Sequence, residues 1–166
     1  MTYFSKRTKA TATVLTVILF ITAGICACLA RLDFGYNGLF WVLTMAALVA
    51  MIQIAQRYLL AGYEYFLDPE EDLFRHNRLT VIRIVGNRRT SLFTTPLASL
   101  TRVIPYRKNR KVQAEFGKVS ARMDFSADLF PAESYLLFFE IYGELTTVRL
   151  QCDAAFAEEL TRRAGI

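Results

Sequence analysis

The side chains of this chain that could do chemistry are few and far apart. His76 is the single histidine, set between two arginines in "LFRHNR". No second histidine or cysteine lies near it in sequence, so neither a zinc site nor a cysteine–histidine pair is suggested. Cys26 and Cys28 fall in one apolar run, two positions apart and so on different faces of a helix, and Cys152 stands far from both. That arrangement is neither a disulfide framework nor a CxxC pair. A soft metal at Cys26 and Cys28 would need further ligands that the sequence does not offer, and small-residue packing accounts for them better. The acidic run "DPEED" (68–72) lacks the alternating oxygens, central glycine and late glutamate of an EF-hand, and reads as a solvated turn begun by Asp-Pro. GxSxG, HExxH, Walker A and GxGxxG patterns are absent from the sequence. The expectation is a non-enzymatic chain with no cofactor and no metal.

The remaining candidate is cationic. Arg102, Arg107, Lys108, Arg110, Lys111, Lys118 and Arg122 gather around the segment "RKNRKVQAEFGK" (107–118), which carries one acid, Glu115. Three readings compete: a solvated loop that keeps the domain soluble, contact with anionic lipid headgroups, and nucleic acid. A lysine or arginine near an anionic leaflet contributes about 1 kcal/mol, so four or five could hold a tethered domain against a membrane. Nucleic acid is disfavoured, because only Tyr106 and Phe116 are available for stacking and no base-reading module is recognisable.

What must position these residues begins with two long apolar runs. The chain has 166 residues, a hydrophobic share of 54% and a net charge of +5. Residues 10–30 and 38–56 contain no charged residue. Each is close to the roughly 20 residues a helix needs to cross a bilayer core of about 30 Å. Two transmembrane helices forming a hairpin are therefore expected, in preference to buried helices of a soluble core. A cleaved signal is the alternative for the first run, because Lys6, Arg7 and Lys9 precede it and Cys28-Leu29-Ala30 ends it. "ICAC" also faintly resembles a lipoprotein box. The length of the run and the second span directly after it favour a retained anchor. Basic residues at the amino end and Arg57 after the second span place both termini in the cytoplasm, with "RLDFGYN" (31–37) outside. Gly24 with Cys28, and Ala46 with Ala50, stand four apart and could pack helix on helix. Neither span holds an ionisable side chain other than cysteine, which favours an anchor over a transporter.

After Arg57 the period shortens to that of strands. Seven are expected, near 59–67, 79–85, 88–95, 99–106, 119–125, 134–142 and 145–151, with turns at Gly86-Asn87 and Gly143-Glu144. The end reads as one helix: Asp153 as N-cap, an apolar stripe of Phe156, Leu160 and Ala164, acids Glu158 and Glu159 spaced to meet Arg162 and Arg163, and Gly165 as the stop. The fold class is thus α+β: a membrane hairpin over residues 1–57, then a β-domain over 58–166.

Seven antiparallel strands closed by a C-terminal capping helix is the order of a pleckstrin-homology (PH)-like bent barrel. Two amino-terminal spans followed by "GYEYFLD" and "LTVIRIVGNRRTSLFTTPLASLTRVIPY" resemble uncharacterised bacterial two-helix membrane proteins with a cytoplasmic PH-like domain. The resemblance is carried by Tyr63, Tyr65, Gly86, Leu97 and Leu100, which mark a fold and no reaction. It implies a fold and a location in the bacterial inner membrane but supplies no reaction; PH-like folds also serve as peptide and protein docking modules, so a partner role stays open. The loop after the first domain strand is acid-rich here, which departs from the basic loop of phosphoinositide-binding PH domains. The expected function is a membrane-anchored interaction or scaffold module, possible contacts being anionic lipid and a membrane-protein partner. The alternative is an accessory or regulatory subunit of a larger membrane complex.

Overall fold

The structure is a computed structural model that describes residues 1–5, 9–32, 35–68, 77–106 and 119–166. It contains two compact units: one made of Met1–Arg7 with Gly62–Ile166, the other of Thr8–Ala61.

The second unit is the helical hairpin. Helix α1 spans Ala10–Leu29 and α2 spans Asn37–Ile54, continued by a π-helical stretch, Ala55–Leu60. Both are long and apolar enough to cross a bilayer. They pack along a seam in which Ala12, Ala23 and Ala30 of the first limb and Thr44 of the second are buried. Thr16 and Leu19, and on α2 Phe40, Leu48 and Met51, are half-buried. Spacings of three and four along each helix make this a coiled-coil-like stripe. Thr16 and Thr44 turn their hydroxyls back onto the Ala12 and Phe40 carbonyls at 2.7 and 2.8 Å, so neither brings an unsatisfied polar group into the seam. The faces expected to pack are not this seam. Gly24, Cys28 and Ala46 are exposed and Ala50 is half-buried. One residue of offset is about 100° around a helix, enough to turn Gly24 outward while Ala23 faces in.

The β-unit begins before the helices. Thr2–Phe4, read from sequence as part of a tail, forms strand β1. It pairs antiparallel with β2 (Ala61–Leu67), aligning Thr2 with Phe66, Tyr3 with Tyr65 and Phe4 with Glu64. Strands β3 (Arg78–Val85) and β4 (Arg88–Pro96) complete a sheet in the order β1-β2-β3-β4. A 3-10 turn, Leu97–Ser99, leads to β5 (Leu100–Pro105). Strands β6 (Ala121–Asp124), β7 (Tyr135–Ile141) and β8 (Glu144–Leu150) join β5 in a second sheet, ordered β5-β7-β8-β6. Helix α3, Ala154–Ala164, ends the chain.

All seven expected strands exist, but two details differ. The pattern predicts antiparallel strands throughout, whereas β6 pairs parallel to β8, Ala121 with Thr146 through Asp124 with Arg149. The span 106–120 between β5 and β6 is long enough to carry the chain to the far edge of the sheet, where a tight turn would have forced an antiparallel neighbour. The second hairpin turns one residue earlier than expected. Ile141 aligns with Glu144, so Tyr142 and Gly143 are the central pair, with φ of 53° and 78°. Positive φ at both places is the type I′ geometry that matches strand twist.

One core joins both sheets and α3. Tyr63, Tyr65 and Leu67 of β2, Leu79 and Val81 of β3, Leu137 and Phe139 of β7, Val148 and Leu150 of β8 and Phe156 and Leu160 of α3 all lie in it. Tyr3 of β1 stacks on Tyr65 with ring centroids 6.1 Å apart and meets Phe156 at 4.8 Å. Its hydroxyl accepts from the Asp153 N–H at 3.1 Å. Residues that precede the first apolar helix therefore complete the core of the β-unit and steady the start of α3.

Candidate functional site

Helix α3 owes its position to its ends. The Asp153 Oδ1 accepts from the Phe156 N–H at 2.9 Å, and Gly165 closes the helix at φ 75°. Glu159 takes both arginines, Arg162 at 2.8 Å and Arg163 at 2.6 Å, and these neighbours hold its carboxyl down to about 2. Arg163 also donates to the Asp68 carbonyl at 2.7 Å, tying α3 to the end of β2.

With α3 so placed, a groove opens between it and the second sheet. Val103 of β5 and Tyr135 of β7 line one side, and Ala154, Ala157, Glu158 and Thr161 the other, around a volume of about 410 Å³. Val103 aligns with Leu137, so its side chain lies on the core face and the groove extends the core outward. Beside it β5 is an edge strand. The Tyr106 N–H bonds to the Ser134 carbonyl, which with the register turns the main chain of Arg102 and Ile104 toward β7 and that of Val103 and Pro105 outward. Proline has no N–H to donate, so Val103 is the residue of this pair with a complete outward donor and acceptor. A short extended segment could add to β5 there and place alternate side chains in the groove, the geometry of strand addition.

Arg149 holds the neighbouring framework. Its guanidinium lies 3.2 Å from the Asp124 carboxylate of β6 and 3.8 Å from the Tyr106 ring centroid at the end of β5, and its Nε donates to Ser134 Oγ at 3.4 Å. The two strands that bracket the basic segment are thus fixed by one residue of β8. Inside the core, the Tyr65 hydroxyl donates to the Phe125 carbonyl at 2.9 Å and accepts from the Gln151 N–H at 3.1 Å. Burial raises its pKa. Gln151 in turn exchanges two bonds with Asp128, at 2.9 and 2.8 Å. Burial pushes the Cys152 thiol up to about 12, so it offers no thiolate near neutral pH.

The sequence-derived candidates distribute unevenly. Arg107, Lys108, Arg110, Lys111 and Lys118 lie outside the described residues, as do His76 and all of the acidic run except Asp68. Arg102 and Arg122 are exposed, but on β5 and β6, the opposite edges of one sheet. Three inter-strand steps of roughly 4.8 Å separate those two strands. Among the described residues no group of three or more histidines, cysteines or carboxylates could hold a metal. The groove at α3 was not legible, because the partner strand facing a helix flank is set by sheet order. Its sole sequence trace is the row Ala154, Ala157, Thr161 of small side chains on one face of the helix.

No family model matches the chain, and neither a curated protein nor a solved structure matches it.

Proposed function

We propose that this chain is a non-enzymatic interaction module anchored in the bacterial inner membrane. Its helical hairpin crosses the bilayer twice, both termini face the cytoplasm, and the β-unit is a PH-like domain that docks a partner. The observation that carries this reading is the pairing of β1 with β2 on either side of the two apolar helices. A hairpin entered and left from one sheet needs both its ends on one side of the membrane, which is the topology of an anchor. The groove between β5 and α3 is the docking site this reading assigns, and the partner is an extended peptide segment with small apolar side chains. Such a contact is short, so proximity within the membrane plane supplies the effective concentration it needs. The basic segment 107–118 adds attraction to anionic headgroups, and nucleic acid has no place in the scheme.

A second reading, an accessory subunit of a larger membrane complex, is favoured by one feature. The outward face of α2 forms an apolar groove lined by Trp41, Val42, Met45, Ala46, Val49, Ala50 and Gln53. Small residues there would let another helix approach.

Photo-crosslinking separates the two. A photoreactive residue is placed in the full-length protein at Val103, Thr161, Ala46 or, as a control, Leu92, and native membranes are irradiated. The docking reading expects one adduct of defined mass from positions 103 and 161, lost when Ala154→Trp fills the groove. Adducts from position 46 alone would replace it with the subunit reading.

A further inference from the structure

The end of the first sheet where the chain meets the helices carries a second basic feature. β2 starts at Ala61, directly after Leu60 of the α2 extension. The Asp68 N–H bonds to the Arg78 carbonyl, so the far end of β2 lies beside the start of β3. The start of β2 therefore lies beside the end of β3, and the Gly86-Asn87 hairpin tip stands at the end of the sheet where β1 ends and β2 begins. At this tip Arg83 aligns with Thr90, Ile84 with Arg89 and Val85 with Arg88. Directly opposed residues share a face, so Arg83, Val85 and Arg88 lie on one face as diagonal and opposed neighbours. Val85 is 39% exposed and Arg88 is exposed. On the other face Arg89 meets Glu64 at 3.6 Å, and this is the ion pair found there. Neither Arg83 nor Arg88 forms an ion pair among the described residues, and the Arg83 Nε is buried with no hydrogen-bond partner. Two guanidiniums of like charge on neighbouring positions, one with a buried unused donor, are a demand for an anion.

We propose that Arg83 and Arg88 bind the phosphate of an anionic phospholipid, with Val85 seated among the headgroups between them. The proposal rests on the membrane-anchor reading above, and places lipid contact on the β3–β4 tip. Guanidinium forks suit phosphate oxygens, which they meet with two parallel bonds. A lipid is favoured over a free anion because the tip sits at the end of the sheet tethered to both helices, where headgroups are concentrated. The contact would restrain the domain at the membrane surface.

The test uses the full-length protein in lipid nanodiscs, with amide hydrogen exchange read over residues 82–90. Discs of neutral phosphatidylcholine are compared with discs containing phosphatidylglycerol. Slower exchange at Gly86 and Asn87 is expected in the anionic discs, reversed by raised salt, with each arginine contributing roughly fivefold. Arg88→Gln should remove about that factor, and Arg83→Gln with Arg88→Gln should remove the difference. Unchanged exchange in β7 shows that the variants remain folded, and Arg88→Gln, at an exposed site, keeps the test open if Arg83→Gln does not fold. Equal exchange at the tip in both lipids would overturn the proposal. So would protection restored in neutral discs by soluble phosphate alone, which would assign the site to a free anion. Failure of the protein to enter either disc would instead contradict the anchor reading.

Discussion

Tyr3 and Tyr65 show how single residues fasten distant parts of this chain. Tyr65→Phe keeps the ring but leaves the Gln151 N–H and the Phe125 carbonyl without their partner. A loss of about 1–3 kcal/mol is expected in a urea titration of the detergent-solubilised protein. Tyr3→Ala removes the ring that meets Phe156 as well as the acceptor for Asp153, and should cost about 3 kcal/mol by the same measurement. Cys152 sets a pH dependence. Its thiol is neutral in the fold up to about 12 but ionises near its ordinary value of 9.0 once unfolded. The unfolded state then holds fewer protons, so stability is fully present below pH 9.0 and declines toward pH 12. Cys152→Ala should flatten that decline in thermal melts taken across the interval. Burial of Tyr65 acts with the same sign, so some alkaline loss remains in the variant. From sequence these roles were half visible. Tyr63 and Tyr65 stand out as aromatic strand residues, but nothing local says that the Tyr65 hydroxyl reaches position 125, or that Tyr3 belongs to the core at all.

At the scale of elements, α3 was the most legible, because its cap, stripe, ion pairs and stop are all local. Asp153, Phe156, Leu160 and Gly165 play the parts their types and spacing predict, and Glu159 takes both arginines. Asp153→Ala should cost about 1 kcal/mol by losing the bond to the Phe156 N–H. Strand existence was legible for the same reason, since alternation is local. Strand partners were not: β6 lies beside β8 and in parallel because of where a long connection leads, which no local pattern encodes. The β7–β8 turn misled because Gly143 suits either central position. Tyr142 occupies a left-handed conformation while fully exposed to solvent. Tyr142→Asn should therefore stabilise the protein by about 0.5–1 kcal/mol, read as a raised melting temperature. The helix seam misled for a geometric reason as well: spacing of small residues shows that a close face exists, but not which of several faces meets the neighbouring helix.

At the scale of the whole molecule, the distinctive feature is that the helical hairpin interrupts the β-unit. Composition alone located the two apolar helices, since their length and lack of charge are explicit in the sequence. That residues 2–4 pair across them was beyond its reach, because a three-residue strand carries almost no periodic signal. This connectivity has a consequence for the alternative in which the first helix is a cleaved signal. Cleavage after Ala30 would remove β1, open the edge of β2 and strip Tyr3 from the core. A variant lacking residues 2–5 should accordingly unfold at a lower denaturant concentration than the intact chain and expose β2 to proteolysis.

The pairing of β1 with β2 within a membrane is best tested by a disulfide. Thr2 and Phe66 are directly opposed, and the bonds of Leu67 to Met1 and of Ser5 to Tyr63 make theirs a non-hydrogen-bonded pair, the closer of the two kinds. Thr2→Cys and Phe66→Cys are introduced with Cys26, Cys28 and Cys152 replaced by alanine, and isolated membranes are treated with a mild oxidant. An intramolecular disulfide that joins the two fragments after cleavage between the helices is expected. Two cysteines that never join, and that an impermeant maleimide reaches from opposite sides of the membrane, would contradict it.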